Sequence, residues 1–339
     1  MSINLSSLAK DMDFSQEDIQ HILDNLDSFS PEELSEIDSI VGELSARERN
    51  KAAYDDLIEF CKRMQPDYKV GRHHRILANM LMDVERGPTA EDGKDRVCVN
   101  IPPRHGKSQL VSIFYPAWFL GRNPDKKVMM VSHTTDLAVD FGRKVRNLIA
   151  LDEYKTIFPE VSLAVDSKSA GRWNTNFGGE YFACGIGSAL AGRGADLLLV
   201  DDPHSEQDVI NGNFSVFEKA YEWFTFGART RLMPGGRVAI VQTRWHMDDL
   251  TGRVTNDMVK NEMADQYEIV EFPAILDSED ESGKPIQKPL WPEFFDLDAL
   301  LRTKASMPTF QWNAQYQQQP TAEEAAIVKR EWWQEWTGD

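Results

Sequence analysis

The stretch that most constrains this chain is Val97-Cys98-Val99-Asn100-Ile101-Pro102-Pro103-Arg104-His105-Gly106-Lys107-Ser108. A short β-branched run enters a kinked loop, the loop closes on Gly-Lys-Ser, and the apolar run Leu110-Val111-Ser112-Ile113-Phe114 follows. Strand, loop and helix start form the setting in which Gly-Lys-Ser holds phosphate. Gly106 lets the backbone approach the ligand and Lys107 supplies a cation for β- and γ-phosphates. Ser108 offers a hydroxyl to Mg2+, and the helix N-terminus presents free N–H groups to the anion. The usual motif opens with a glycine ahead of the four residues that precede Gly-Lys, and here that position is Ile101. Alone, the tripeptide also fits a surface loop, so the rest of the chain has to decide.

With 339 residues, 41% of them hydrophobic, the chain can bury one large α/β core and carry a smaller appendage. No apolar run reaches the roughly 18 residues of a membrane span, and the acidic N-terminus has no basic-then-apolar leader. No membrane association is expected. Cys61, Cys98 and Cys184 have no pairing or zinc spacing and read as buried thiols in a reducing compartment. His73 and His74, being adjacent, are expected on different faces, and no structural metal is expected. The net charge of −18 argues against a protein that coats nucleic acid. The charge is uneven, however: residues 1–60 carry −11 and residues 61–149 carry +7. A polyanion can therefore meet the basic segment locally.

Two helical patterns occupy residues 1–50. Ile19, Ile22, Leu23 and Leu26 repeat at helical spacing. Ser30-Pro31-Glu32-Glu33 then caps a second helix carrying Leu34, Ile37, Ile40, Val41 and Leu44. An amphipathic helix is expected over 52–64 and another over 73–84. Lys127 to Ser132 reads as a second buried strand, followed by a helix capped at Thr134 or Thr135. Strands are expected around Trp173 and around Tyr181, on either side of a turn at Gly178-Gly179. Strands alternating with helices predict a mostly parallel sheet covered on both faces. The glycine-rich run 185–194 is a loop with room to move. A long helix over 211–232, ended by Pro234, precedes a strand over 237–242. Asp248-Asp249-Leu250-Thr251-Gly252-Arg253 starts a further helix and 267–272 is a last strand. Residues 276–292 read as an acidic, proline-rich loop, and two short helices follow from Asp296 and Pro308.

Leu197-Leu198-Leu199-Val200-Asp201-Asp202-Pro203 is the second anchor. It places two carboxylates at the C-terminal end of a central strand, where ligands collect in open α/β sheets. Asp201 is placed to hold Mg2+. Asp202 sits where phosphoanhydride hydrolysis needs a water-activating carboxylate, with Glu206 as the alternative. Gln242-Thr243-Arg244, just past the next core strand, is suited to sensing a γ-phosphate. Tyr68 and His73-His74-Arg75 are candidates for an adenine pocket or, more simply, for helix packing.

Pro-Pro-Arg-His-Gly-Lys-Ser, Gly-Arg-Gly-Ala-Asp-Leu-Leu-Leu-Val-Asp-Asp-Pro and Gln-Thr-Arg-Trp-His-Met-Asp-Asp-Leu-Thr-Gly-Arg occur in that order. Together, over residues 52 to the C-terminus, they resemble the N-terminal ATPase domain of the large terminase subunit of tailed bacteriophages. The family tolerates phosphate loops with an arginine ahead of Gly-Lys. The resemblance implies an α/β P-loop NTPase of the ASCE/RecA-like kind, a mostly parallel central sheet flanked by helices with an N-terminal helical appendage. It divides the chain into an acidic appendage (1–50), the ATPase domain (51–320) and a linker (321–339) towards a nuclease domain not present here. Nuclease activity is accordingly not expected of this chain.

Carried over, the resemblance makes Lys107 and Ser108 the Walker A pair, with Arg104, His105, Gly106 and Gln109 around the ATP phosphates. Asp201 and Asp202 fill the Walker B positions, with Mg2+ between Ser108 and Asp201. Thr243, with Gln242 before it, matches the coupling motif. Arg193 is the candidate arginine finger for a neighbouring subunit's nucleotide, or else a loop arginine paired with a surface carboxylate. The implied function is ATP hydrolysis that pumps double-stranded DNA into a procapsid. The implied partners are the portal protein, a small terminase subunit and further copies in a homo-oligomeric, pentameric ring. The implied place is the bacterial host cytoplasm. Two other readings compete: a helicase-like nucleic-acid-dependent ATPase, for which a second lobe of strands is lacking, and a nucleotide-binding scaffold without hydrolysis. No Asn-Lys-x-Asp guanine motif is present.

Overall fold

The computed structural model describes residues 29–321 apart from 92, 168, 211–213 and 281. The expected helix carrying Ile19, Ile22, Leu23 and Leu26, and all but the first residue of the expected linker over 321–339, lie outside the described residues. Helix α1 (Pro31–Asp55) starts at a capping box. Glu33 N–H donates to Ser30 Oγ at 3.3 Å and the Ser30 N–H donates to the Glu33 carboxylate at 2.8 Å. Such a cap contributes about 1 kcal/mol. Asp56 then leaves the helical conformation, accepts the Glu59 N–H at 2.9 Å and starts α2 (Leu57–Met64). The one helix expected over 52–64 is thus the end of α1 and a separately capped α2. Helix α3 (Arg72–Arg86) follows.

Strand β1 (Arg96–Asn100) leads through the loop 101–106 into α4. That helix comprises Lys107–Gln109, a π-helical turn over Leu110–Phe114, and Tyr115–Arg122. Next come β2 (Lys127–Ser132), α5 (Thr135–Ile149) and α6 (Asp152–Ile157). After β3 (Arg172–Asn174), β4 (Glu180–Gly185) and β5 (Ala195–Asp201), the chain forms α7 (Glu206–Ile210) and α8 (Ser215–Glu222). Strand β6 (Leu232–Gln242), α9 (Leu250–Lys260) and β7 (Glu268–Glu271) complete the main sheet. A hairpin of β8 (Ile275–Glu279) and β9 (Pro285–Pro289) precedes α10 (Leu297–Ala305) and α11 (Thr309–Gln315).

The seven strands lie in the order β3-β4-β2-β5-β6-β1-β7, and every pairing is parallel except β3 with β4. The expected helix-flanked, mostly parallel sheet is therefore what the chain forms. Side chains alternate across each strand, which splits the core in two. Leu197 and Leu199 enter the cluster beneath α1–α6, with Val97, Val99, Val128 and Met130. Leu198 and Val200 enter the opposite one, with Cys98, Met129, Ile240, Phe224 and Leu250. A central strand buried on both faces has to be a continuous apolar run, as Leu197-Leu198-Leu199-Val200 is. The three cysteines are free and buried. Among the described residues no helix is long and apolar enough to cross a membrane.

Two segments differ from the sequence reading. The helix expected to reach residue 232 passes from α8 into a π turn over Trp223–Ala228 and a 3-10 turn over Arg229–Arg231. Strand β6 then begins at Leu232, ahead of Pro234. Its register against β5 jumps from Leu232 opposite Ala195 to Arg237 opposite Leu197, so Pro234-Gly235-Gly236 is looped out as a bulge. A bulge is the place where a sheet accepts proline. The expected loop over 276–292 is largely the β8–β9 hairpin. Its prolines stand at the two ends of β9, and Asp280 closes its turn by accepting the N–H groups of Ser282 and Lys284.

Candidate nucleotide site

Strand β6 lies between β1 and β5, so the C-terminal ends of three parallel strands meet in one place. The loop after β1 needs two sharp reversals, and it makes them at Arg104 (φ 63°) and Gly106 (φ 80°). Glycine takes the left-handed conformation without cost, whereas a non-glycine residue there stores of order 1–3 kcal/mol. Ile101, at the position usually held by glycine, is buried and its N–H still bonds the Gln242 carbonyl at 3.0 Å. It extends the sheet, and the turns fall later, which is why the first glycine is dispensable here.

Lys107 opens α4 with its side chain buried, and its Nζ lies 2.7 Å from Asp202 Oδ2. Asp202 also adopts a left-handed conformation (φ 44°), which turns its carboxylate back over the strand ends. Its Oδ1 accepts the Thr243 N–H at 2.9 Å, and the Thr243 hydroxyl donates to the Ile101 carbonyl at 3.0 Å. Thr243 therefore joins the loop after β1 to the acidic strand end. Asp201 is 1% exposed. Its Oδ2 accepts the Ser112 hydroxyl at 2.6 Å, while Oδ1 has no hydrogen-bond partner. Burial, and then the neighbouring Asp202 charge, raise the Asp201 pKa, with Lys107, Ser112 and Ser108 pulling the other way. Burial by itself would depress the Lys107 ammonium, but Asp202 and Asp201 reverse that and hold it charged. One buried cation thus faces two carboxylates, which favours docking of a further cation and a polyanion together.

A buried carboxylate oxygen without a partner, beside the Ser108 hydroxyl, is a set of hard oxygen donors suited to Mg2+. Ser112 is a site residue the sequence reading missed. Its signal was its place four residues after Ser108, one helical turn on. Glu206, the alternative carboxylate, is exposed on α7.

Beneath the loop, His73 and His74 both point at one atom, the His105 carbonyl oxygen, at 3.1 and 3.0 Å. They do not diverge as expected from their adjacency, because α3 begins at Arg72 with both rings tucked under the loop. Tyr68 packs its ring on His74 and Phe114, and Arg75 lies near Asp56 and Glu59. His105 stacks on Phe295. Gln109 donates to Gln65 at 2.6 Å. These two glutamines, with Ser108, Phe114, Phe141, Lys144 and Leu148, line an open cleft of about 680 Å3 beside the loop. Behind Thr243 a buried polar cluster continues. Gln242 donates to Thr251, Thr251 donates to Asn100, and Arg244 binds Asp249 and Glu271. The Arg244 N–H is held by Gln318 from beyond α11. None of Asn100, Thr251, Asp249 or Gln318 was given a site role from sequence; Asn100 and Gln318 reach the cluster only from distant chain, whereas Asp249 meets Arg244 five residues away.

Arg193 is not brought to this site. Its guanidinium lies 3.3 Å from Glu180 and 4.6 Å over the Phe182 ring. Glu180 is the first residue of β4, so Arg193 sits at the opposite end of the sheet from Lys107.

The sequence from 98 to 334 matches the family model described as terminase large subunit, T4likevirus-type, N-terminal. No curated protein matches the chain. Among solved structures it is similar to the HK97 bacteriophage large terminase (15% identity, TM-score 0.49), over 78% of this chain and 55% of that one. The Thermus phage P74-26 large terminase ATPase domain is similar over 75% of this chain and 95% of that one (16% identity, TM-score 0.42). A large terminase from a thermophilic bacteriophage, solved with ATP-gamma-S, is similar over 72% and 51% (8% identity, TM-score 0.43). The chain spans about half the length of the HK97 protein. Since the family model covers well over half of its residues, the chain belongs to the family of T4likevirus-type terminase large-subunit N-terminal domains.

Proposed function

We propose that this domain hydrolyses ATP and that the hydrolysis drives double-stranded DNA into a procapsid. The observation that carries the reading is the meeting of Lys107 and Asp202, 2.7 Å apart although separated by the whole of β2 to β5 in sequence. One triphosphate placed over α4 would engage the Lys107 ammonium and the loop N–H groups while Asp202 orients water on its γ-phosphate. Ser108 and Asp201 would hold Mg2+, whose chemistry is to neutralise charge on the phosphate oxygens. Arg104, exposed on the loop, would reach the phosphates, and Gln109 and Gln65, which border the cleft, would face the nucleoside. Thr243, tied to both Asp202 and Ile101, would sense the change on cleavage and pass it to Arg244 and Gln318.

The reading extends to assembly. Several copies in a ring on the portal, with a small terminase subunit delivering DNA, would let Arg193 serve a neighbour's nucleotide, provided it leaves Glu180. Residues 1–50 would act as an appendage and 321–339 as a linker. Grip on DNA through the basic stretch need only be transient, since a tight hold would stall movement.

A steady-state ATPase assay with and without DNA tests the core of the proposal. Lys107→Ala should remove turnover while the protein stays folded; retained turnover in that variant sinks the assignment. In mixtures with wild type, Arg193→Ala should depress activity per subunit as protein concentration rises. Concentration-independent activity with a silent Arg193→Ala removes the role in trans.

A further inference from the structure

The histidines beneath the loop have no part in the reaction described above, yet their hydrogen bonds are one-sided. The Gly71 N–H donates to His74 Nδ1 at 2.9 Å, so the His74 proton sits on Nε2, which donates to the His105 carbonyl. A carbonyl only accepts, so His73 Nε2 is protonated as well, leaving His73 Nδ1 buried and without a partner. His105 in turn donates from Nδ1 to the Pro103 carbonyl at 2.9 Å. Two N–H donors on separate rings thus converge on one main-chain oxygen of the phosphate loop. The 105–106 peptide is planar and trans, so its carbonyl and its N–H point to opposite sides. Fixing the His105 oxygen downward therefore aims the Gly106 N–H upward, to the side on which an anion docks.

We infer that His73 and His74 are positioning residues: by holding the His105 carbonyl they preset the Gly106 N–H for phosphate. The inference rests on the reading of this loop as the ATP site. It gives a physical account of how a loop with Ile101 and two prolines keeps its shape. The neighbours agree with it. A Cβ on Gly106 would come within 2.2 Å of His74 Nε2, so the ring is seated directly under the glycine. Trp291 packs against both histidines and Phe272 against His73, which excludes water from the two bonds. Burial also pulls all three imidazoles down, His74 to about 3 and His105 to about 4, so they stay neutral at physiological pH.

The test compares His73→Gln with His73→Met in the full chain, and the same pair at position 74. The two replacements have similar length, but only glutamine carries a donor where Nε2 stands. Nucleotide affinity is read with a fluorescent ATP analogue, alongside KM, kcat and melting temperature. The inference expects Met to raise Kd and KM about tenfold or more, about the loss of one good hydrogen bond, with kcat within about threefold. Glutamine should restore both constants to within about threefold. Met and Gln binding alike at both positions, whether both weak or both like wild type, overturns it. If Met at one position does not fold, the pair at the other position decides. Lys107→Ala is the control that separates the two claims. If it too binds ATP normally, the site reading fails; if it alone loses binding, only the histidine inference fails.

Discussion

Two charged groups at opposite ends of the central sheet use the same kinds of residue in opposite ways. At the N-terminal end, arginines and carboxylates pair near the surface. Arg229 binds Asp265 through two guanidinium contacts of 2.6 and 2.9 Å, Arg96 reaches the same carboxylate, and Arg172 and Arg193 share Glu180. Each carboxylate there has its cations beside it, and Asp265 is held below the usual range by the Arg229 bond despite partial burial. At the C-terminal end, one buried lysine faces two carboxylates and one carboxylate oxygen has no partner. Charge that is completed by its neighbours fastens a fold, whereas buried charge left incomplete is poised for something that binds. That contrast separates Lys107 and Asp201 from Arg193 more sharply than motif position does.

The largest effect should follow from disturbing the incomplete end. Lys107→Ala is expected to lower ATP turnover by at least about 10^3-fold, because transition-state charge loses its cation. A steady-state assay reads this, and a loss below tenfold would erase the distinction between the two ends. Next in size is Ser112→Ala, which removes the donor on Asp201 Oδ2 without touching the ligand. Outer partners of metal-binding carboxylates typically matter by 10–100-fold. About a tenfold rise in the Mg2+ concentration for half-maximal activity is expected; an unchanged Mg2+ dependence would reduce Ser112 to packing.

Acidification sharpens the comparison through stability. His74 lies at about 3 and His105 at about 4, as does His204, buried against Phe217 with its Nε2 accepting the Leu250 N–H, all lowered by burial first. Unfolded, each titrates near 6.5, so between about pH 6.5 and 4 the unfolded chain holds protons the folded chain lacks. Stability therefore falls as pH falls through that window, by about 1.4 kcal/mol per pH unit for each uncompensated histidine. Asp201, raised in the folded state, works in the opposite sense and offsets part of this. Urea midpoints at pH 7, 6 and 5 should decline in order, and a flat profile would contradict buried neutral histidines. The smallest effect belongs to the completed end. Arg229→Ala should cost about 1 kcal/mol in unfolding free energy and leave ATP turnover unchanged. A loss of turnover comparable to that of Lys107→Ala would mean the two ends are not separable.

Most of the sheet was legible because buried parallel strands are continuous apolar runs and their ends carry the polar motifs. Val97–Asn100, Lys127–Ser132 and Leu197–Val200 are plain on that basis. The Lys107–Asp202 meeting was legible only as a consequence of two motifs in order; no spacing along the chain shows it. What escaped was whatever tertiary contact decides. Pro234 looked like a terminator and is a bulge, because strand pairing with β5 outweighs its missing N–H. The β8–β9 hairpin was hidden by acidic and proline-rich composition, since only one end of it packs on the small core around Trp312 and Leu300. His73 and His74 looked divergent because adjacency on a helix says nothing of a loop that meets both. Arg193 looked mobile on its glycine flanks, but Phe182 and Glu180 hold it.

The central claim is that Asp202 acts on a triphosphate held by Lys107. Single-turnover hydrolysis by Asp202→Asn, with nucleotide binding measured on the same sample, tests it most directly. The account predicts ATP bound with near-native affinity and cleavage slowed by about 10^3-fold or more. Cleavage at the wild-type rate by bound ATP in that variant would contradict it.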